Sequence, residues 1–416
     1  KFQKKMELVI PQDFKESEIE TARKLRIKLA DVLPPEFDSD YFLARWLRAY
    51  KEDEKGLELK LTELIEHRRA FGYGQGNIAD KIRSLEFARK TFERFNISQL
   101  NMDVYSDNVA VFIQKMEGCD LKEIIKVIPL SYVLHSYFIL HESFQKAMTK
   151  KESETGKPAA VAVVLDLKGL NLTDFINPMS GPCKLARLVV KIWSDYFTEN
   201  MITLFLMHPP GVLSLMWQLA KHIVDAKTQS RIVFVTKTED IMRYLKPESI
   251  PVEWGGSRRD GSGFADPPES CCQKGLKVTP DDYFDRVTWW KSLGFQKPPE
   301  FKSASVKAKS NFEIKKELKE GQTLIWEFTT SSDFTFEIIR IVSKSESPNS
   351  LKENLKDSSL TEDEETIVPR VTLTSLKVPE HGQMTIKHSG DYVIRWGNPS
   401  SSWLNAKLNS IVVVKN

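Results

Sequence analysis

Four short runs in the middle of the chain constrain the fold more than any other feature: VAVFIQ from Val109, AVAVVLDL from Ala160, ITLFLM from Ile202 and RIVFV from Arg231. Three of them set apolar residues in succession, as strands do when both faces of their sheet are buried. Long helical stretches near Leu121 to Met148 and Leu172 to Phe197, and another after Pro210, supply cover. The pattern predicts a largely parallel α/β sheet with helices packed on it.

At 416 residues the chain exceeds one ordinary core, so two or three domains are expected. From about Ser17 to Gly72, apolar residues recur at helical spacing, at Leu43, Trp46 and Leu47 and then Leu57, Leu61, Leu64 and Ile65. This reads as a small helical cap, ended by the glycines of GYGQG, Gly72 to Gly76. After Tyr283, the segment WWKSLGFQKPPEFKSASVKAKS drifts from aromatic residues to Lys, Ser and Pro, as a linker does. Beyond Asn311 the period becomes two, in TLIWEFTT, DFTFEIIRIV, RVTLTSL, GDYVIRW and NSIVVV, which predicts an antiparallel β-sandwich. Ser343 to Thr366 is too polar to fold by itself and is expected to be a loop. The expected organisation is therefore a helical cap over 1–75, an α/β domain over 76–297, a linker over 298–310 and an all-β sandwich over 311–416.

The 60 Lys and Arg against 57 Asp and Glu leave a net charge of +3, so no global field favours nucleic acid as a partner. Cys119, Cys183, Cys271 and Cys272 form no CxxC pair, which favours free thiols in a reducing compartment. Adjacent Cys271 and Cys272 read as a solvated loop rather than a metal site. The longest apolar stretch, from Met201, is broken by His208, Pro209 and Pro210 and cannot span a bilayer, and KFQKKMELVI lacks the apolar core of a signal peptide. A cytoplasmic protein with peripheral membrane contact is expected. GxSxG, HExxH and GxxxxGK[ST] patterns are missing, the seven histidines lack ligand spacing, and GYGQG lacks dinucleotide-loop spacing. Neither catalysis nor a metal or cofactor is expected.

Four segments in order, DYFLARWLRAY at Asp40, VVLDLKGLNL at Val163, YFTENMITLFLMHPP at Tyr196 and YLKPESIPVEWGG at Tyr244, resemble the CRAL-TRIO family of lipid-binding and lipid-transfer proteins. The ending Pro247 to Gly256 is similar to that family's PxxLPxEYGG, with Trp254 in place of Tyr. The C-terminal HSGDYVIRWGNPSSSWLNAKLNSIVVV, from His388, resembles the end of a GOLD domain. The pairing is similar to the supernatant protein factor, or tocopherol-associated protein, group.

The resemblance implies an enclosed lipid pocket, a GOLD jelly-roll sandwich and a gate helix over Val212 to Ala226. That segment places Val212, Met216, Leu219 and Ile223 on one helical face. The expected lining is Val161, Val163, Leu165, Phe205 and Met207 from the sheet, with Leu213, Met216, Trp217, Leu219 and Ile223 from the gate. Met216 and Trp217 would also touch lipid tails when the gate swings.

Phosphoinositide-binding relatives hold the headgroup with a basic LRAR residue, a glutamate and a basic residue after the gate. This chain keeps Glu199 and Arg231, which a surface ion pair would equally explain, but has Tyr50, followed by Lys51, at the LRAR position. Val161 and Val163 stand where phosphatidylcholine-binding relatives place hydroxyl residues. The expected function is therefore a non-enzymatic carrier that binds and transfers a hydrophobic lipid such as a tocopherol, isoprenoid or phospholipid. A lipid-regulated scaffold acting on a protein partner through the sandwich, or a phosphoinositide sensor, is the alternative.

Overall fold

The computed structural model describes residues 7–30, 33–51, 53–197, 199–211, 229–342, 364–400 and 405–416. Five helices come first: α1 (Glu16–Lys28), α2 (Asp40–Tyr50), α3 (Glu54–Ala70), α4 (Ile78–Ser84) and α5 (Glu86–Phe92). Ser39 accepts a hydrogen bond from the Phe42 N–H ahead of α2, and Asp53 one from the Gly56 N–H at 2.9 Å ahead of α3. Both satisfy donors that a helix start leaves orphaned. The GYGQG glycines do not end the helical layer. Gly72 and Gly76, at φ +64° and +74°, turn the chain, Asn77 caps α4, and helix continues to Phe92.

A five-stranded sheet follows, in the order β1 (Asn96–Ile97), β2 (Val109–Lys115), β3 (Ala160–Asp166), β4 (Met201–Met207) and β5 (Ile232–Val235). β2 to β5 are parallel, as the apolar runs predict, and β1, which no run marked, pairs antiparallel to β2. α6 (Leu121–Ile124) and α7 (Leu130–Thr155) connect β2 to β3, and α8 (Gly181–Tyr196) connects β3 to β4. Pro129 splits the helix expected over Leu121 to Met148, because a proline offers no N–H and disfavours helical geometry in the residue before it. Similarly, Leu172–Phe175 forms only a 3-10 turn, and α8 starts after Ser180, whose hydroxyl accepts the Cys183 N–H at 3.3 Å.

Both faces of the sheet are covered. On one lie Ala110, Phe112, Val161 and Val163, packed with Phe138, Phe144 and Met148 of α7. On the other lie Val109, Val111, Ile113, Ala162, Val164, Phe205, Met207 and Val235, under Ile241, Leu245, Ile250 and Trp254. Cys272 joins this second core and Cys271 is also buried, so the pair is not a solvated loop.

The C-terminal part is two four-stranded antiparallel sheets. It comprises β6 (Lys302–Val306), β7 (Ser310–Leu318), β8 (Thr323–Thr330), β9 (Phe334–Ile341), β10 (Glu364–Leu373), β11 (Glu380–Thr385), β12 (Gly390–Asn398) and β13 (Ala406–Lys415). The sheet orders are β10-β9-β12-β7 and β11-β8-β13-β6. Of the loop expected over Ser343 to Thr366, residues 343–363 lie outside the described residues, and Glu364 to Thr366 already belong to β10.

The expected linker is corrected. β6 lies inside 298–310 and pairs with β13 from Val306↔Ala406 to Lys302↔Ser410. Helix α9 (Arg286–Ser292), assigned from sequence to the α/β domain, also packs on the sandwich. Trp290 is fully buried against Ile325 and Ile411, and its indole N–H donates to buried Glu327 at 2.7 Å.

The sandwich docks on the helices. Arg187 of α8 forms a two-pronged pair with Asp333 at 2.7 and 2.8 Å, and the Thr366 hydroxyl donates to Glu66 at 3.0 Å. Buried Glu380 of β11 accepts the Leu130 and Ser131 N–H groups at 3.1 and 3.2 Å, capping α7 from another part of the chain. One hydrophobic cluster runs without a break from Leu134 of α7 to Leu373 of β10.

Candidate functional site

Parallel register decides which side chains share a face, because alternate residues of a strand point to opposite sides. Val163 pairs with Leu204 and Leu165 with Leu206, and Leu204 and Leu206 in turn pair with Ile232 and Phe234. Val161, Val163 and Leu165 therefore share a face with Leu204 and Leu206. Phe205 and Met207, expected as lining, are buried on the opposite face and are not part of it.

This face grades from closed to open. Val161 and Val163 are buried, Leu165, Leu204 and Leu206 are half-buried, and Phe234 is 37% exposed. The same hydrophobic core takes in α8, a strongly amphipathic helix that buries Leu185, Leu188 and Ile192 and packs Val189 and Trp193 on it. Leu170 and Phe175 pack on that core as well. Leu213, Met216, Trp217, Leu219 and Ile223 lie outside the described residues.

The headgroup candidates occupy separate settings. Glu199 and Arg231 form an ion pair at 2.9 Å, largely shielded from solvent. Tyr50 stacks on Trp46 at 5.6 Å, and its hydroxyl donates to the Asp195 carbonyl at the end of α8. It thus braces the helical layer against α8. Lys51 is exposed at the end of α2, at φ +48°.

A polar tie at the strand ends was not legible in the histidine spacing. His208 meets Asp166 through Nδ1 at 2.7 Å and the Thr238 hydroxyl through Nε2 at 2.9 Å, joining the ends of β3 and β4 to the turn after β5. The PVEWGG ending has a steric reason. Gly255 sits at φ +86°, and a Cβ on Gly256 would lie 2.0 Å from the Ile250 carbonyl oxygen. Trp254, packed on the second core under the Lys115 ammonium at 5.5 Å, is fixed by that turn.

Fold and site together define a parallel α/β domain with a half-open apolar face, joined to an antiparallel sandwich. Residues 107–256 match the CRAL/TRIO domain. A CRAL-TRIO domain-containing protein of Caenorhabditis elegans is 29% identical over 336 residues, 79% of this chain and 83% of that protein. A second from the same organism is 20% identical over 97% of this chain and 92% of its own length. A phosphatidylinositol/phosphatidylcholine transfer protein of Arabidopsis thaliana is 26% identical over 54% of this chain and 36% of its own. The crystal structure of Sfh5 superposes on 68% of this chain and 99% of its own, with a TM-score of 0.44 and 16% identity. Among the described residues no helix is long and apolar enough to cross a membrane.

Proposed function

We propose that the chain binds one hydrophobic lipid on the face formed by Val163, Leu165, Leu204 and Leu206 and carries it between membranes without chemical change. The half-buried state of Leu165, Leu204 and Leu206, next to buried Val163, supports this reading, since an apolar strip left half in water gains by taking up hydrocarbon. At about 25 cal/mol per Å2, enclosing a few hundred Å2 is worth several kcal/mol, enough to draw a lipid from a bilayer. In this reading the segment Val212 to Ala226 acts as the gate, the sandwich is a GOLD domain, and no cofactor other than the lipid is needed.

A ligand without a phosphate headgroup is favoured over a phosphoinositide. Tyr50 supplies no cation where one would be needed, and its hydroxyl is already engaged with the Asp195 carbonyl. In this reading a protein partner of the sandwich would sense the lipid through α8 and α7, a coupling supported by the Arg187–Asp333 pair and the Glu380 cap on α7. Uptake of a fluorescent fatty acyl or isoprenoid probe from vesicles tests the reading. Saturable uptake that Leu206→Asp abolishes supports it, and uptake unchanged by Leu206→Asp argues against it.

A further inference from the structure

The region between α2, α3, α7 and the C-terminal end of α8 contains a cavity, just large enough for a single water. Unlike the sheet face, its lining is rich in polar groups, and several of them lack a partner. The Tyr73 hydroxyl, both ring nitrogens of His141 and the Gln145 amide oxygen are buried without a hydrogen bond from the protein. All three side chains line this cavity, and each is at most 3% exposed. Buried polar atoms are costly when left unpaired, so several of them on the side chains around one void, with His67 Nδ1 a further one, call for a hydrogen-bonding occupant.

The chemistry of the lining selects that occupant. The Gln145 amide nitrogen already donates to the Thr149 hydroxyl at 2.8 Å, which leaves its oxygen as an acceptor. Burial pushes the His141 imidazole down to about 3, so the ring is neutral and offers one donor and one acceptor. Burial also keeps Tyr73 a phenol, able to donate. The lining thus mixes donors and acceptors and carries no free charge, for Arg68 at its margin is committed to Glu36 at 2.5 Å and Glu142 at 3.1 Å. An anion would meet the Gln145 oxygen, and a cation the Tyr73 and His141 donors. A neutral hydroxyl group, which both donates and accepts, can take the Tyr73 proton, give its own to the Gln145 oxygen and meet one His141 nitrogen through its N–H.

We propose that Tyr73, His141 and Gln145 form a buried binding site for one neutral hydroxyl group, supplied by a water molecule or by the hydroxyl end of a bound lipid. The second source rests on the lipid-carrier reading. His141 is the link, stacked on Phe197 at 3.7 Å and edge-on to Trp193 of α8, which packs on the same core as the sheet face, at 5.4 Å. A lipid alcohol could reach the void only by displacing these rings.

Two measurements on the full chain test this. The first is a crystal structure fine enough to show ordered oxygen atoms, for protein stripped of lipid and for protein loaded with a long-chain alcohol. The second compares uptake of that alcohol with its methyl ether from phosphatidylcholine vesicles. An ordered oxygen within hydrogen-bond distance of Tyr73, His141 and Gln145, lost in Tyr73→Phe, is the expected result. If it is present in the stripped protein, the occupant is water. If it appears only on loading, and the alcohol is taken up at least tenfold better than the ether, the occupant is the lipid hydroxyl. An oxygen present while neither probe is taken up upholds the hydroxyl site and sinks the lipid reading. No ordered oxygen in either state, with alcohol and ether taken up equally, overturns the site and leaves the lipid reading standing.

Discussion

Phe205 and Leu206 are neighbours in sequence and opposites in the sheet, so truncating each to alanine separates stability from ligand binding. Phe205 is fully buried in the core beneath Trp254 and Tyr244. Phe205→Ala should therefore cost about 3–5 kcal/mol of stability, from lost transfer energy and the cavity left behind. Leu206 is half-buried on the other face. Its loss should cost the folded protein only about 1 kcal/mol, because much of its surface already meets water. A lipid lying on that face would lose contact with up to three carbons, about 1–2 kcal/mol or roughly 5- to 30-fold in affinity. The assay pairs urea unfolding with uptake of a fluorescent lipid, measured where both variants are fully folded. The account expects Phe205→Ala to be unstable with near-normal affinity and Leu206→Ala to be stable with weakened affinity. The reverse pattern would refute the assignment of faces.

Burial raises the Glu380 carboxyl from its usual 4.5 to about 7. Its stabilising share is full below about pH 4.5 and is lost as pH rises through 7, so the stability of Glu380→Gln relative to the native chain should increase between pH 5 and pH 7.5 in thermal unfolding. His135 and His141 shift the opposite way, pushed from 6.5 down to about 3 by burial. Their contribution is full above pH 6.5 and fades as pH falls toward 3, so acid unfolding should begin below about 6.5 and be blunted in His135→Phe. Trp290→Ala should cost about 3–5 kcal/mol by emptying the space between α9 and the sandwich, read from denaturant midpoints. A fragment starting at Asn311 should fail to give the dispersed NMR spectrum of a folded sandwich, whereas one starting at Tyr283 should give it.

How far the sequence showed this depends on what each residue leaves visible. The strands β2 to β5 stood out because unbroken apolar runs are rare outside doubly covered sheets. The same property hid their phase. Leu204, Phe205, Leu206 and Met207 are all apolar, so no alternation reveals which side faces the ligand, and only the parallel register with β3 decides it. β6 escaped notice because KSASV is an edge strand that buries only Val306 and is held chiefly by its backbone pairing with β13. In β8, Leu324, Trp326 and Phe328 announced an inner face, but the burial of Ile325 and Glu327 by α9 follows from a helix outside the repeating pattern. Charged residues between helical apolar positions pass for solvent-facing ones. Arg45 with Glu152, Arg68 with Glu142, and His67 with His135 are instead buried pairs, and only the packing of α2 and α3 on α7 brings them together. The His141 cavity was invisible for the same reason.

The most direct test of the central claim is organic extraction of the natively purified full chain, followed by mass spectrometry of the extract. The account predicts about one apolar lipid per chain, without a phosphoinositide headgroup, displaced on adding excess of a competing hydrophobic ligand. Protein that is consistently empty and takes up no lipid from vesicles would contradict it.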